Sequence, residues 1–231
     1  MPRVLGILGG MGPEATILLM TSILRATPAE DDSDHIPLLV DNNTQVPSRI
    51  AHLIGGTGPD PTPVLVDMAK RLEQMGAEAL AMPCNTAHSY LPAIAEAIRI
   101  PVFDMVTMTA EQVDGFAPDG PVGILASPAT RRTGIFTRAF ERLGREVLYA
   151  ADQDAMLAAI RLLKSGRMSD ALPALNAAGK EIGARGAVAL VIGCSEFSVA
   201  APHIDQGLPT IDSLAVLTRA CTTFALGRVA G

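Results

Sequence analysis

Ala79-Leu80-Ala81-Met82-Pro83-Cys84-Asn85-Thr86 and Ala189-Leu190-Val191-Ile192-Gly193-Cys194-Ser195-Glu196 are the stretches whose reading decides the fold. Each is a short apolar run that ends in a cysteine and passes into small polar residues able to cap a helix. A continuous apolar run bounded by a turn signal reads as a strand buried on both faces. The pattern occurs twice, and two further matches follow in the same order. Gly6-Ile7-Leu8 returns as Gly123-Ile124-Leu125, and Ile100-Pro101-Val102-Phe103-Asp104 returns as Leu208-Pro209-Thr210-Ile211-Asp212. Three ordered matches indicate a duplicated unit, and a repeat on this scale shapes the whole fold.

Working outward, strand and helix patterns alternate. Val4 to Leu8 reads as a strand, Gly9-Gly10-Met11-Gly12-Pro13 as a turn, and Glu14 to Ala26 as a helix. Pro37 to Val40 is a strand that runs into the polar Asp41-Asn42-Asn43-Thr44-Gln45, Gly55 to Pro63 an irregular loop, and Val64 to Met75 an amphipathic helix closed by Gly76. The second half repeats the plan from Val122, with helices expected over Thr133 to Leu143, Asp154 to Lys164 and Ser169 to Arg185. The expected class is α/β: two similar domains, each a parallel sheet flanked by helices, related by a pseudo-twofold duplication.

Composition narrows the function. The chain has 231 residues, and its 48% hydrophobic content is enough to bury a substantial core. Aromatics are 3% and Trp is absent, so Leu, Val, Ile, Ala and Met are expected to fill the interior. A net charge of −6 without any Lys/Arg run argues against nucleic acid as a partner. Met1-Pro2-Arg3 leads directly into a strand pattern without the features of a signal peptide, and no membrane span is expected. The three cysteines lack CxxC spacing, which excludes a disulfide framework or a zinc motif, and free thiols fit a cytoplasmic protein.

Ligands of parallel sheets bind at the carboxyl ends of strands, where Gly10, Asn42, Cys84, Ser127 and Cys194 all fall. Thiols in equivalent places of two halves can face each other across one cleft. That suits a reaction in which one face of a carbon loses a proton and the other gains one. A helix N-terminus is expected to lower each thiol pKa. Asn85, Thr86 and Ser195 supply donors for a carboxylate. The glycine turn lacks the Lys-Ser/Thr of a P-loop, so close backbone approach to a substrate carboxylate fits it better than nucleotide binding. His88 and Glu196 can tune the thiols or serve the backbone. Cys221, in an apolar stretch, reads as a core residue.

Gly6-Ile-Leu-Gly-Gly-Met-Gly-Pro-Glu-Ala-Thr16, Met82-Pro-Cys-Asn-Thr-Ala-His88 and Gly193-Cys-Ser-Glu196 together resemble the signatures of the aspartate/glutamate racemase family, closest to its aspartate racemase branch. The resemblance covers nearly the whole chain. It implies a cofactor-independent amino-acid racemase, homodimeric and cytoplasmic, that acts on aspartate or glutamate with Cys84 and Cys194 as the acid–base pair. Cys194 would serve L-enantiomers and Cys84 D-enantiomers. The substrate-binding set is expected to be Met11, Gly12, Gln45, Arg49, Asn85, Thr86, Ser127, Lys164 and Ser195, with Arg49 and Lys164 on the acidic side chain. The domains would span 1–104 plus 208–231, and 105–207, with the last strand and helix returning to the first.

Two departures from the branch stand out. Ser195 replaces a commoner Thr, and Ser48-Arg49-Ile50 stands where Asp-Arg-Thr is usual. The alternatives are another enzyme of the superfamily, such as a maleate isomerase or hydantoin racemase, or a non-catalytic small-anion binding module. Paired cysteines argue against an arylmalonate-decarboxylase type, which uses one.

Overall fold

The structure is a computed structural model and describes residues 2–204 and 207–227. The fold is α/β, built on two parallel sheets. In the first, β1 (Leu5–Gly9) lies between β2 (Leu38–Asn42) and β3 (Ala79–Ala81). In the second the order is β5 (Val147–Tyr149), β4 (Val122–Leu125), β6 (Ala189–Ile192), β7 (Thr210–Asp212). β1, β3, β4 and β6 are buried at every residue, as expected for strands covered by helices on both sides.

The duplication extends to hydrogen-bond register. Gly6 pairs with Leu80 in the first sheet, and Gly123 pairs with Leu190 in the second. Both glycines are needed for space: a Cβ on Gly6 would lie 2.4 Å from the Leu80 side chain, and one on Gly123 would lie 2.3 Å from Ile182 and 2.9 Å from Leu190. The fourth positions also correspond. Leu80 N–H donates to the Pro101 carbonyl at 2.8 Å, with a bridge to Val102, and Leu190 N–H donates to the Pro209 carbonyl at 2.9 Å.

After the Val102 bridge in the first unit and after β7 in the second, an aspartate caps a helix that crosses to the other unit. Asp104 accepts from the N–H groups of Val106 and Thr107 and starts α4 (Met105–Asp114). Asp212 accepts from Leu214 N–H and starts α10 (Ser213–Ala225). Val106, Ala110 and Val113 of α4 join the core over the second sheet, with Ile124 and Val191. Leu214, Leu217 and Cys221 of α10 join the core under the first, with Leu5, Ile7 and Ala79. β7 therefore departs from expectation. It stays in the second sheet beside β6, and only α10 returns to the first unit. The return crossing falls at Asp212-Ser213 rather than at Gly207 to Thr210. Residues 228–231, assigned to the first domain, and 205–206, assigned to the second, lie outside the described residues.

The remaining helices follow their patterns: α1 (Pro13–Ala26), α2 (Thr62–Gln74), α3 (Leu91–Ala97), α7 (Gln153–Lys164), α8 (Met168–Ala184) and α9 (Ser195–Ala200). In α2, Leu65, Met68, Ala69 and Leu72 face inward, the spacing of one helical face. The helix expected over Thr133 to Leu143 is two, α5 (Pro128–Thr133) and α6 (Ile135–Glu141), because Gly134 closes the first at φ +64. Phe136, Phe140 and Phe197 are fully buried, so half of the six phenylalanines add to the aliphatic core. Among the described residues no helix is long and apolar enough to cross a membrane.

The turn after β1 depends on Gly10. Its φ is +90, and an added Cβ would lie 2.3 Å from the backbone of Asn43. Gly10→Ala should destabilise the protein by about 2 kcal/mol or more, since neither the strain nor the backbone clash can relax locally. The shift in chemical-denaturation midpoint measures this, and an unchanged midpoint would refute the close approach.

Candidate active site

Cys84 follows β3 and Cys194 follows β6, so the two thiols come from matching strand ends of different sheets. Both line one inner cavity of about 50 Å³, together with Met11, Ser48, Arg49, Ile50, Thr86, Ser127, Ile160, Lys164 and Glu196. Ser48, Arg49, Lys164 and Glu196 also border a larger outer basin of about 520 Å³ that reaches Gly10, Gly12 and Glu14. These four residues form the mouth between the two spaces.

Local structure explains how each charge is held. Thr16 organises the glycine turn: its hydroxyl accepts from Gly10 N–H at 3.0 Å and donates to the Gly12 carbonyl at 3.2 Å. The Met11 carbonyl then accepts from Arg49 Nη2 at 3.2 Å, while Arg49 Nη1 donates to the carbonyls of Val46 and Pro47. Three carbonyls thus fix the guanidinium and leave its charge facing the cleft. Lys164, at the end of α7, pairs with Glu196 at 3.2 Å. Glu196 also accepts from the Cys194 thiol at 3.2 Å through its other oxygen.

A buried hydroxyl cluster joins the units beside the cavity. Thr86 Oγ1 lies 3.2 Å from Ser127 Oγ and 2.7 Å from Thr130 Oγ1, and Ser127 Oγ caps α5 by accepting from Thr130 N–H. On the outside, Arg132 Nη1 donates to the Ile54 carbonyl, tying α5 to the turn that carries Arg49.

The thiols are not acidified. Burial pushes the Cys84 thiol up, against the opposing pull of Arg49 and with Glu196 adding to the rise. Burial pushes Cys194 further up, and the Glu196 carboxylate adds to it both by its charge and as an acceptor that favours the thiol. The backbone N–H groups of Ala87 and Glu196 do act in the expected, lowering direction. Desolvation outweighs them, so the expectation that helix N-termini lower these pKa values is corrected: the cavity without substrate favours thiols.

Of the expected site residues, Met11, Arg49, Cys84, Thr86, Ser127, Lys164 and Cys194 meet at the inner cavity, and Gly12 borders the outer basin. Gln45, Asn85 and Ser195 lie outside both linings. Gln45 is exposed and its amide reaches Thr44. Asn85 is buried, and its Nδ2 donates to Ser213 Oγ, which itself donates to the Ile192 carbonyl. Asn85 Oδ1 and Ser195 Oγ, each directly after a cysteine, are buried with no hydrogen-bond partner.

Sequence reasoning left Glu196 outside the site set and missed Ser48, Ile50 and Ile160. Ile160 was findable, since it lies one turn before Lys164 on the same helix face. His88 serves the backbone. Its Nδ1 lies 2.9 Å from the Cys84 carbonyl and its Nε2 accepts from Met105 N–H at 3.1 Å, which selects the tautomer protonated on Nδ1. Burial lowers its pKa and keeps it neutral.

The Asp/Glu/hydantoin racemase family model matches residues 8–221. The broad specificity amino-acid racemase RacX of Bacillus subtilis is 25% identical over 221 residues, 94% of this chain and 95% of that one. Among solved structures, the aspartate racemase of Picrophilus torridus superposes with a TM-score of 0.86 at 26% identity, covering 99% of this chain and 96% of that one. A glutamate racemase of Francisella tularensis in complex with D-glutamate shares the fold, with a TM-score of 0.70 at 18% identity over 98% of this chain and 82% of that one.

The third cysteine gives a control. Burial in the α10 core pushes Cys221 from 9.0 up to about 12. The unfolded thiol ionises above its ordinary value while the folded one keeps its proton, so stability is lost as pH rises through that window. Cys221→Ala should therefore lessen the fall of Tm with pH above about 9, the ordinary thiol range. Cys84, Cys194, Tyr90 and Tyr149, all raised by burial, sustain the remaining slope. An unaltered pH dependence would mean that Cys221 does not hold its proton in the fold.

Proposed function

The chain belongs to the Asp/Glu/hydantoin racemase family, and on that premise we propose that it interconverts L- and D-aspartate or glutamate without pyridoxal phosphate, using Cys84 and Cys194 as paired acid and base. The observation that carries this reading is that two thiols from matching ends of two different sheets line one small cavity with Arg49 and Lys164 at its mouth. One thiolate takes the α-proton, forming an S–H bond as the C–H bond breaks. The opposite thiol then gives its proton to the other face of the carbanion. After the first transfer both sulfurs are thiols, and after the second one thiol and one thiolate remain with their roles exchanged, so the pair is set for the reverse direction.

The surrounding groups support that chemistry. Arg49 and Lys164 offer positive charge to the side-chain carboxylate, and an Arg fork can grip a carboxylate with two hydrogen bonds. Thr86 and Ser127 line the cavity and offer hydroxyls to the α-carboxylate of an amino acid. The small inner cavity, about 50 Å³, leaves little room for water beside a bound substrate, and displacing that water strengthens the electrostatic contacts with the carbanion.

Circular dichroism of L-aspartate and L-glutamate, with ultraviolet absorbance to follow achiral maleate, tests the reading directly. Decay of the amino-acid signal is expected, and loss of maleate alone would replace the racemase by an isomerase. In heavy water, Cys84→Ala should exchange only the α-proton of the L-substrate and Cys194→Ala only that of the D-substrate, both with retention. Full racemisation by either single variant would overturn the two-thiol mechanism.

Arg49→Ala and Lys164→Ala should each lower kcat/KM for the acidic substrate by about 2 kcal/mol or more, through loss of a charge-assisted contact. Turnover of alanine, which has no second carboxylate, should fall far less. Equal losses on both substrates would remove the two cations from side-chain recognition.

A further inference from the structure

The cysteines are equivalent by the repeat, yet their surroundings are not. Cys194 donates to Glu196 Oε2 at 3.2 Å, and the other carboxylate oxygen, Oε1, is engaged by Lys164 at 3.2 Å. The matching stretch after Cys84 reads Asn85-Thr86 and places no carboxylate two residues on. Cys84 instead has the fixed guanidinium of Arg49 on its side of the cavity. We propose that Glu196 keeps the proton on Cys194, so that Cys84 is the thiol that ionises first and serves as the base while Cys194 remains the acid. The inference rests on the reading of the two thiols as an acid–base pair and assigns their protonation before substrate arrives.

The charged and titratable groups facing the pair come from every element around it. Cys84 faces Arg49 from the turn after β2, Glu196 from α9, Lys164 from α7 and Tyr90 from the segment before α3. Cys194 faces Glu196 and, across the cleft, Cys84 itself. Two cations therefore favour the thiolate at Cys84, whereas the group nearest Cys194 is an anion that accepts its S–H. Burial pushes both thiols up, and the carboxylate carries Cys194 further.

The consequence is a directional reset. The form ionised at Cys84 takes the proton of the enantiomer whose α-hydrogen faces Cys84 and gives the Cys194 proton to the opposite face. Afterwards the proton stands on Cys84, and Cys194 is a thiolate beside the Glu196 carboxylate. Contact between two negative charges disfavours this form, so after product leaves Cys194 takes a proton from solvent and Cys84 gives one up to it. Lys164 moderates the effect by neutralising Glu196. An incoming side-chain carboxylate that draws Lys164 away exposes Cys194 to the full carboxylate charge. Glu196 is thus a positioning residue for a proton, acting through Cys194.

Alkylation of the substrate-free enzyme with iodoacetamide, read site by site by peptide mass spectrometry across pH, tests this. In the native chain near pH 8, Cys84 should react faster than Cys194 by roughly several-fold or more, because the thiolate is the species that is alkylated and Glu196 favours the Cys194 thiol. In Glu196→Gln, which keeps the shape and removes the charge, Cys194 labelling should rise by about tenfold and Cys84 labelling by less. Lys164→Gln, at the partly exposed mouth, should slow Cys194 further because Glu196 then acts unshielded. Cys194 labelling indifferent to Glu196→Gln would overturn the inference. If that variant does not fold, an unchanged or faster Cys194 in Lys164→Gln overturns it. Because labelling needs no turnover, the expected pattern in a chain that racemises nothing would refute the racemase reading alone. Racemisation with labelling blind to Glu196 would refute the role of Glu196 alone.

Discussion

Each sheet in this protein is covered on one face by a helix that belongs, in sequence, to the other unit. α4 leaves the first sheet through Asp104 and packs over the second, and α10 leaves the second through Asp212 and packs under the first. The apolar faces of both helices are buried in these exchanged positions, so separating the units would expose Val106, Ala110 and Val113 on one side and Leu214, Leu217 and Cys221 on the other. At roughly 1.5–3 kcal/mol for each large side chain, that exposure is a strong restraint. The exchange keeps the carboxyl ends of β3 and β6 turned toward one another. The bonds among Thr86, Ser127 and Thr130 can form across the junction only because of it.

The crossovers also hold the cysteines. Residue four after Cys84 is His88, which receives the Met105 N–H at the start of α4. Residue four after Cys194 is Ser198, which donates to Asp212 at the start of α10 at 2.6 Å. Each thiol-bearing turn is therefore latched to a helix on its way to the other unit. Any shift of one unit against the other is felt at the thiols through these bonds. One latch is a neutral imidazole and the other a hydroxyl on a carboxylate, so the duplication preserves the geometry without preserving the chemistry.

Electrostatics in the cavity is a balance between desolvation and placed charge. Burial alone would keep both thiols protonated. Arg49, held by three carbonyls, and Lys164, held by Glu196, bring positive charge to a site that the backbone N–H groups of the adjoining turns only weakly favour for anions. The distribution of these cations breaks the twofold symmetry of the repeat.

The sequence by itself determined the repeat, the α/β class and the strand ends that carry both cysteines, whereas Arg49 and Lys164 were expected only from the family resemblance. The first three depend on local patterns: apolar runs too short for helices, glycines at turns, and a polar residue wherever a strand ends. Tertiary structure alone decided the sheet to which β7 belongs, because Thr210-Ile211-Asp212 reads equally well as an edge strand of either unit, and its register is set by the Leu190–Pro209 hydrogen bond. It alone drew Lys164 and Glu196 together with Cys194, since an ion pair between the end of α7 and the start of α9 has no periodic signature. It also reversed the expected thiol pKa shifts. A helix N-terminus is visible in sequence, but the desolvation that outweighs it exists only once both sheets close over the cleft.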